Sequence, residues 1–290
     1  MQSKSALIVV NALARQGQED LEQVREVLRS AAIGSSVYTI ENVTHMKDAI
    51  RRHGDLVDYY IVGGGDGTLN AALEPILETG LPLGVLPLGT ANDLARTLEI
   101  PFDAKAAAQV IAAGRVKWID LGWVNYKHYL NVASIGLAVK VSHALSGSTK
   151  KRWGVLAYPL SFFKAYRAMR PFRARITCNG QSQVFKSIQI AIGNGRHYGG
   201  GLAIRHDATI DDHRLNLYSL KPQPMWQLIR SAPAIVTGTM QQGDFIRVME
   251  GEEFQVDTRK PMPIDTDGEV TTYTPARFRV KKSALQVFVP

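Results

Sequence analysis

The chain has one cysteine, Cys178, in 290 residues, so no intrachain disulfide can form. That fits a reducing compartment and excludes a disulfide-stapled secreted scaffold. No uncharged apolar stretch approaches the length a helix needs to span a bilayer. A signal peptide is imitated by Lys4, the run Ala6 to Val10 and Ala12-Leu13-Ala14, but the apolar core is short and Asn11 interrupts it. The segment reads instead as a first buried strand. Internal repeats, low-complexity tracts and long flexible linkers are all missing. His45, His53, His128 and His143 show no metal-ligand spacing, and no Ser/His/Asp set stands out. Acid is missing as well, from one long region. Between Leu121 and His206 there is no Asp or Glu, while Lys127, Lys140, Lys150, Lys151, Arg152, Lys164, Arg167, Arg170, Arg173, Arg175, Lys186, Arg196 and Arg205 all fall there. The formal net charge of +8 is therefore unevenly placed. Such a region suits an anionic membrane surface, a polyphosphate or nucleic acid, or is simply a solvated basic face. No nucleic-acid-binding motif accompanies it.

What is present is organised around Ile61-Val62-Gly63-Gly64-Gly65-Asp66-Gly67-Thr68-Leu69-Asn70. Tyr59 to Val62 is β-branched and aromatic, and Leu69, Ala72, Leu73, Ile76 and Leu77 recur at helical spacing, so the stretch predicts strand, loop and helix. Glycines let backbone N–H groups approach an anion, and a helix start favours negative charge, so phosphate is the expected guest. The pattern is neither G-x-x-x-x-G-K-[ST] nor G-x-G-x-x-G. Asp66 would repel a bare polyphosphate, and a divalent cation between them resolves the conflict. A tight turn with an acid at a helix start is the plainer alternative.

In order, the chain predicts a strand over Ala6 to Asn11, a helix over Glu19 to Ala31, a strand over Ser36 to Ile40 and a helix over Val43 to Arg52. The Tyr59 strand and the Thr68 helix follow, with a kink expected at Pro75. Then come a short strand at Leu83 to Leu86, a loop at Pro87 to Thr90, and helices from Ala91 to Leu98 and Ala104 to Ala113. This alternation predicts a doubly wound α/β domain with ligands at the carboxyl ends of its strands. Gly89-Thr90-Ala91-Asn92-Asp93 repeats the chemistry of the first loop, and either shares its nucleotide or is an N-cap at Thr90 with Asp93 as capping-box acid.

Near Trp118 to Val124 helix period gives way to alternation. Strands are expected at Tyr129 to Ile135, Arg173 to Cys178, Val184 to Ile192, Leu215 to Leu220, Phe245 to Met249, Glu253 to Asp257, Ala276 to Val280 and Leu285 to Val289. Asn179-Gly180 marks a hairpin. This half predicts an antiparallel β-sandwich or barrel. The domains are thus 1–124, α/β, and 125–282, β-sandwich, with a return of the tail 283–290 to the first allowed. Gly147 to Arg175 interleaves cations with Trp153, Tyr158, Phe162, Phe163, Tyr166 and Phe172, which suits a headgroup layer or an amphipathic helix packed on the sandwich. Asp207 to Arg214 could hold a cation with backbone carbonyls or be a polar turn. Asp265-Thr266-Asp267-Gly268-Glu269 reads by default as a polar loop, and beside a phosphate site one of its carboxylates could accept a proton from a hydroxyl.

As an ordered set, the segments Gly63 to Asn70, Leu86 to Asp93, Gly193 to Gly201, Asp207 to Asp212 and Asp267-Gly268-Glu269 resemble the diacylglycerol kinase and sphingosine kinase superfamily, nearest to soluble bacterial diacylglycerol kinases and YegS-type lipid kinases. The resemblance spans nearly the whole chain. It implies an NAD kinase/phosphofructokinase-like nucleotide domain followed by a β-sandwich, and transfer of phosphate from Mg-ATP to a lipid hydroxyl. It assigns ATP to Thr39, Gly63, Gly64, Gly65, Asp66, Gly67, Thr68, Leu69, Thr90 and Asp93, with Asp66 and Asp93 in the Mg²⁺ network. Asp66 and Glu269 are the catalytic residues, Glu269 as general base. A structural metal would use the Asp212 carboxylate with the carbonyls of Thr209 and Arg214. The sequence departs from the family pattern at Asn11-Ala12-Leu13-Ala14, where Asn-Pro-x-Ser-Gly is usual, at Ala71, which replaces an acid, at Arg205-His206, which replaces Ala-Pro, and at His213, which replaces glycine. The expected protein is cytoplasmic and peripherally associated with the inner membrane face. Its partner is a lipid substrate at a membrane surface and not nucleic acid, and a homodimer is left open. The rivals are a soluble-substrate kinase of the NAD kinase type and a non-catalytic membrane-binding protein.

Overall fold

The computed structural model describes residues 4–11, 17–145, 164–195, 197–198, 202–203, 209–227 and 246–290. By its internal contacts the chain divides into two units, one of the described parts of 1–121 and 282–290, the other of those of 122–198 and 202–281. The first unit runs β1 (Lys4–Asn11), α1 (Gly17–Ser30), β2 (Ile33–Ile40), α2 (Val43–His53), β3 (Tyr59–Gly64), α3 (Asp66–Thr79), β4 (Leu83–Pro87), α4 (Asp93–Thr97), α5 (Ala104–Ala113) and most of β5 (Val116–Val124). Its strands are parallel in the order β2-β1-β3-β4, as expected of βαβ connections. Every residue of β3 is buried, which requires the continuous apolar run seen in the sequence. Helix α3 buries Leu69, Ala72, Leu73 and Ile76, and it runs through Pro75 to an αL cap at Gly80.

The second unit holds β6 (Lys127–Tyr129), β7 (Val132–Gly136), α6 (Leu137–Leu145), β8 (Phe172–Cys178), β9 (Gln181–Ser187), β10 (Gln189–Gly193), β11 (His197–Tyr198), β12 (Leu202–Ala203), β13 (Leu215–Leu220), β14 (Ile246–Gly251), β15 (Glu253–Thr258), β16 (Pro263–Thr266), β17 (Glu269–Tyr273) and the start of β18 (Ala276–Phe288). One sheet runs β18-β15-β8-β9 and the other β14-β13-β10-β7-β16-β17, both antiparallel. Ile135, Ile190, Leu217 and Ile264 of the second sheet meet Ile176, Phe254, Val256 and Phe278 of the first in one core. This is the sandwich that alternation predicted.

Four expectations need correction. The run Tyr129 to Ile135 is two strands, because the N–H groups of Leu130 and Asn131 bond a side chain, Asp267, instead of a strand. The run Val184 to Ile192 also breaks, since β9 and β10 belong to different sheets; Ile188 between them donates to Leu220 O and accepts from Leu137 N. The two strands expected at the C-terminus are one. β18 leaves the sandwich and ends in the first unit parallel to β4, with Val287 opposite Leu83. Ser283, at φ +45, turns its N–H to the buried Asp120 carboxylate at 2.7 Å. The expected loop at Asp265 to Glu269 is a hairpin instead, β16 and β17 joined by Asp267 and Gly268 with φ of +50 and +97, the signature of a type I′ turn.

Of the aromatic and cationic stretch, residues 147–163 lie outside those described. Tyr166 packs with Met169 against Val132, Ala191 and Tyr218 on the sandwich. No helix among the described residues is long and apolar enough to cross a membrane.

Phe254 is fully buried at the centre of the sandwich core. Phe254→Ala is expected to lower stability by about 3–5 kcal/mol, read by urea unfolding.

Candidate active site

The glycine loop follows β3 at the carboxyl end of the parallel sheet. Pairing aligns Thr39, Val10, Gly63 and Leu86 in one row across four strands, so the residues expected to meet a nucleotide leave the sheet at one edge. Thr39 is exposed there. Gly65 is the N-cap of α3 and supplies no side-chain cap. The N–H groups of Thr68 and Leu69 bond to Gly65 O. Asp66 and Gly67 precede the first helical bond. Leu69 is 2% exposed, so its side chain serves the core and only its backbone belongs to the loop.

The second loop lies against the first. A Cβ on Gly89 would fall 2.3 Å from the Cα of Gly65, and one on Gly65 would fall 3.1 Å from the Cα of Gly89. The two backbones touch where any side chain would separate them. Asn92, φ +51 and 6% exposed, then stitches the second loop shut: its Nδ2 donates to Pro87 O and Gly89 O, and its Oδ1 accepts from Gly89 N at 3.0 Å. The capping-box alternative fails here. The N-cap of α4 is Asn92, not Thr90, and it makes no side-chain cap bond. Asp66 Oδ1 instead accepts the N–H of Leu94 at 3.3 Å, so an acid from the first loop caps the helix that follows the second. Thr90 is exposed and Asp93 buried.

Packing explains several of the glycines, and Gly67 is different. It is exposed in the first turn of α3, and nothing lies within 4 Å of where its Cβ would be. The fold gives no reason for glycine there, whereas an anion approaching the uncapped helix start does. The donor set also fits a hard cation. Asp66 and Asp93 begin α3 and α4 and are linked through the Asp66–Leu94 bond. Among the described residues no group of three or more His, Cys, Asp or Glu gathers as a protein-built metal cage. If the loop takes phosphate, two carboxylates at successive helix starts are what Mg²⁺ would use, since it takes few protein ligands and completes its shell with phosphate and water.

In the second unit, the Asp267 carboxylate is held by three backbone donors: Oδ2 accepts from Leu130 N at 2.7 Å, and Oδ1 from Asn131 N at 2.9 Å and Val132 N at 3.0 Å. Asp267 N in turn donates to Val132 O. Asp265, 5% exposed, accepts from Gly268 N at 2.8 Å. The turn before Glu269 is thus fixed from both sides, and Glu269 begins β17 exposed. Beside it, burial and the charge of Asp267 push the Tyr129 phenol well above its ordinary pKa, so it stays neutral. Asn194, 1% exposed, donates to Leu130 O and to Asn131 O, which brings the start of the Gly193 to Gly201 segment to the same loop. Arg196 and the glycines at 199–201 lie outside the described residues, as do Ala12 to Ala14 and Asp207.

Thr209, Asp212 and Arg214 share one turn, where Asp212 accepts from Thr209 N at 3.4 Å and Arg214 N at 3.0 Å. His213 adopts φ +62 in place of a glycine. The Arg214 guanidinium pairs with Glu250.

Sequence reasoning missed Asp120 and the clamping role of Asp267. The Asp-Gly pair at the turn was the one available signal for the last.

Comparison with known proteins agrees over the whole chain. Residues 5–124 match the diacylglycerol kinase catalytic domain, and residues 131–289 match the YegS C-terminal NAD kinase beta sandwich-like domain. A Pseudomonas aeruginosa protein named "Probable lipid kinase YegS-like" is 32% identical over 232 residues, 79% of this chain and 76% of that one. A Bacillus subtilis protein named diacylglycerol kinase is 28% identical over 265 residues, 89% and 86% of the two chains. The crystal structure of a diacylglycerol kinase from Bacillus anthracis str. Sterne superposes with a TM-score of 0.79 at 21% identity, covering 100% of this chain and 98% of that one, a likeness of fold.

The two glycines separate the roles of packing and ligand. Gly89→Ala is expected to drive the loops apart and lower the thermal midpoint. Gly67→Ala, in an open helical position, should hold or raise stability by about 0.5–1 kcal/mol while weakening nucleotide binding by calorimetry.

Proposed function

The chain belongs to the diacylglycerol kinase family, phosphotransferases with an alcohol group as acceptor, and on that premise we propose that it transfers the γ-phosphoryl group of Mg-ATP to the hydroxyl of a lipid such as diacylglycerol or phosphatidylglycerol. The observation that carries the nucleotide half is Gly67, left open at an uncapped helix start. The start of α3 around Gly65 and Gly67 receives the phosphates, with Thr39 and Thr90 exposed at the same sheet edge for the rest of the nucleotide. Asp66 and Asp93 would hold Mg²⁺, whose contribution is to neutralise charge on the β- and γ-phosphates. A second cation at Asp212, with the carbonyls of Thr209 and Arg214, belongs to the same reading.

On the acceptor side, Glu269 takes the proton of the lipid hydroxyl as its oxygen forms a bond to the γ-phosphorus and the bond to the β-phosphate oxygen breaks. ADP leaves with that electron pair. Asp267 and Asp265 hold the turn that presents Glu269, so the base is positioned before substrate arrives. The names of the relatives favour diacylglycerol as acceptor, and the protein works at a membrane surface because such a substrate does not leave it.

Asp66→Asn keeps an acceptor for the Leu94 N–H, so the fold should survive. Transfer of labelled phosphate from ATP to a total lipid extract should fall by at least about 100-fold. Glu269→Gln is expected to lose about 100-fold to 10,000-fold in kcat with ATP binding retained. Chromatography of the product identifies the lipid, and NAD serves as the competing acceptor. Normal turnover in either variant would remove that residue from the mechanism, and transfer to NAD rather than lipid would overturn the acceptor class.

A further inference from the structure

The turn between β5 and β6 carries a side chain that its backbone does not favour. Asn125 and Tyr126 adopt φ of +42 and +80, a type I′ geometry whose second position ordinarily takes glycine. A bulky residue there is an outlier. Tyr126 nevertheless occupies it and is 89% exposed. The surroundings do not let the turn relax. Asn125 Nδ2 donates to Thr272 Oγ1, Tyr273 O and Pro275 O, and its Oδ1 accepts from Arg277 N, so the turn is bolted to the end of β17 and the start of β18. Strain held in place by four hydrogen bonds points to a use for the aromatic ring.

Around it stand the groups an interface requires. Tyr126 packs edge-on against Trp123, with ring centroids 5.9 Å apart. Lys281 Nζ lies 5.6 Å from the centroid of the Trp123 ring, and the Arg279 guanidinium 5.9 Å. Tyr273, bonded through its carbonyl to Asn125, is 56% exposed. Glu253 is bracketed by Arg277 and Arg279, and with Glu252 beside it the described ensemble of Lys127, Arg277, Arg279 and Lys281 still carries more cations than acids. Amphipathic rings beside an excess of cations match the headgroup layer of a bilayer, where tyrosine and tryptophan settle and cations are drawn to anionic lipid. We infer that the Trp123, Tyr126, Tyr273 and Lys281 patch is a docking surface for anionic lipid bilayers. The inference deepens the lipid-kinase reading and rests on it for its purpose: Tyr273 and Glu269 are the two ends of β17, so the strand that presents the base also ends in the docking patch.

The test is flotation of the full chain with vesicles of phosphatidylglycerol and phosphatidylcholine, against vesicles of phosphatidylcholine alone. Binding to the anionic vesicles alone is expected. In the combined variant Tyr126→Gly, Tyr273→Ser, Lys281→Gln, affinity should fall by at least about tenfold, the cation alone supplying about fivefold. Tyr126→Gly by itself should keep or raise the thermal midpoint, since glycine suits the turn, so weaker binding in that variant is not unfolding. Phosphate transfer to detergent-dispersed diacylglycerol should be unchanged in the combined variant. Undiminished vesicle binding by that variant, or no anionic binding by the parent, overturns the surface. So does a dimer of the parent, seen by sedimentation, that the variant abolishes, because the patch would then belong to a second copy. Vesicle binding without transfer to any lipid would end the kinase reading and leave the docking surface standing.

Discussion

The contact between the backbones of Gly65 and Gly89 is the constraint from which the nucleotide half follows. The two loops leave neighbouring parallel strands, β3 and β4, and they can close on each other only where neither carries a side chain. Closure brings the Asp66 carboxylate to the start of α4, where it accepts the N–H of Leu94 and replaces the cap that Asn92 does not provide. Asn92 is thereby released to hold its own loop shut. One acid therefore serves two helix starts, its own and the next, and α3 is left without a side-chain cap. The start of α3 at Gly67 is thereby kept clear of side chains, the opening on which the proposed phosphate site rests. Loop packing and the open helix start are consequently parts of a single arrangement.

The sandwich half depends on an equivalent device built from a carboxylate. Leu130 to Val132 turn successive N–H groups to Asp267, which ends β6, starts β7 and anchors the β16–β17 turn in one place. Asn194 reaches the same loop from the end of β10. Three segments far apart in sequence are thus joined through two side chains, Asp267 accepting from backbone and Asn194 donating to it.

Legibility followed the range of the interaction. The strand, loop and helix around Gly63 to Asn70 could be read because periodicity and glycine content are local, and the Asn179-Gly180 hairpin because a type I′ turn demands those residues. The reason for Gly89 could not be read, since it is the backbone of Gly65. The strand breaks at Leu130 and Ile188 were hidden for a similar cause: the side-chain pattern of alternation continues across both, while the hydrogen bonds that end the strands go to Asp267 and to another sheet. The Asp-Gly pair at 267–268 did carry a turn signal, but three carboxylates in five residues suggested a loop. Tyr126 gave no signal, because a tyrosine after asparagine is ordinary until its φ is known.

The same accounting decides among the carboxylates near Glu269. A general base must change protonation during turnover and must present an oxygen to the substrate. Asp267 accepts three backbone N–H groups, and protonating it would leave at least one donor facing a hydroxyl hydrogen in a partly buried loop. Asp265 is buried and accepts from Gly268. Each is committed to the turn, and each would disturb it by taking a proton. Glu269 is exposed, follows the turn directly, and has a longer side chain on a backbone that the other two hold still. The division of labour is physical: the shorter acids bind backbone and fix the geometry, and the glutamate they carry is the one whose carboxylate the turn does not use, as the proposed base requires.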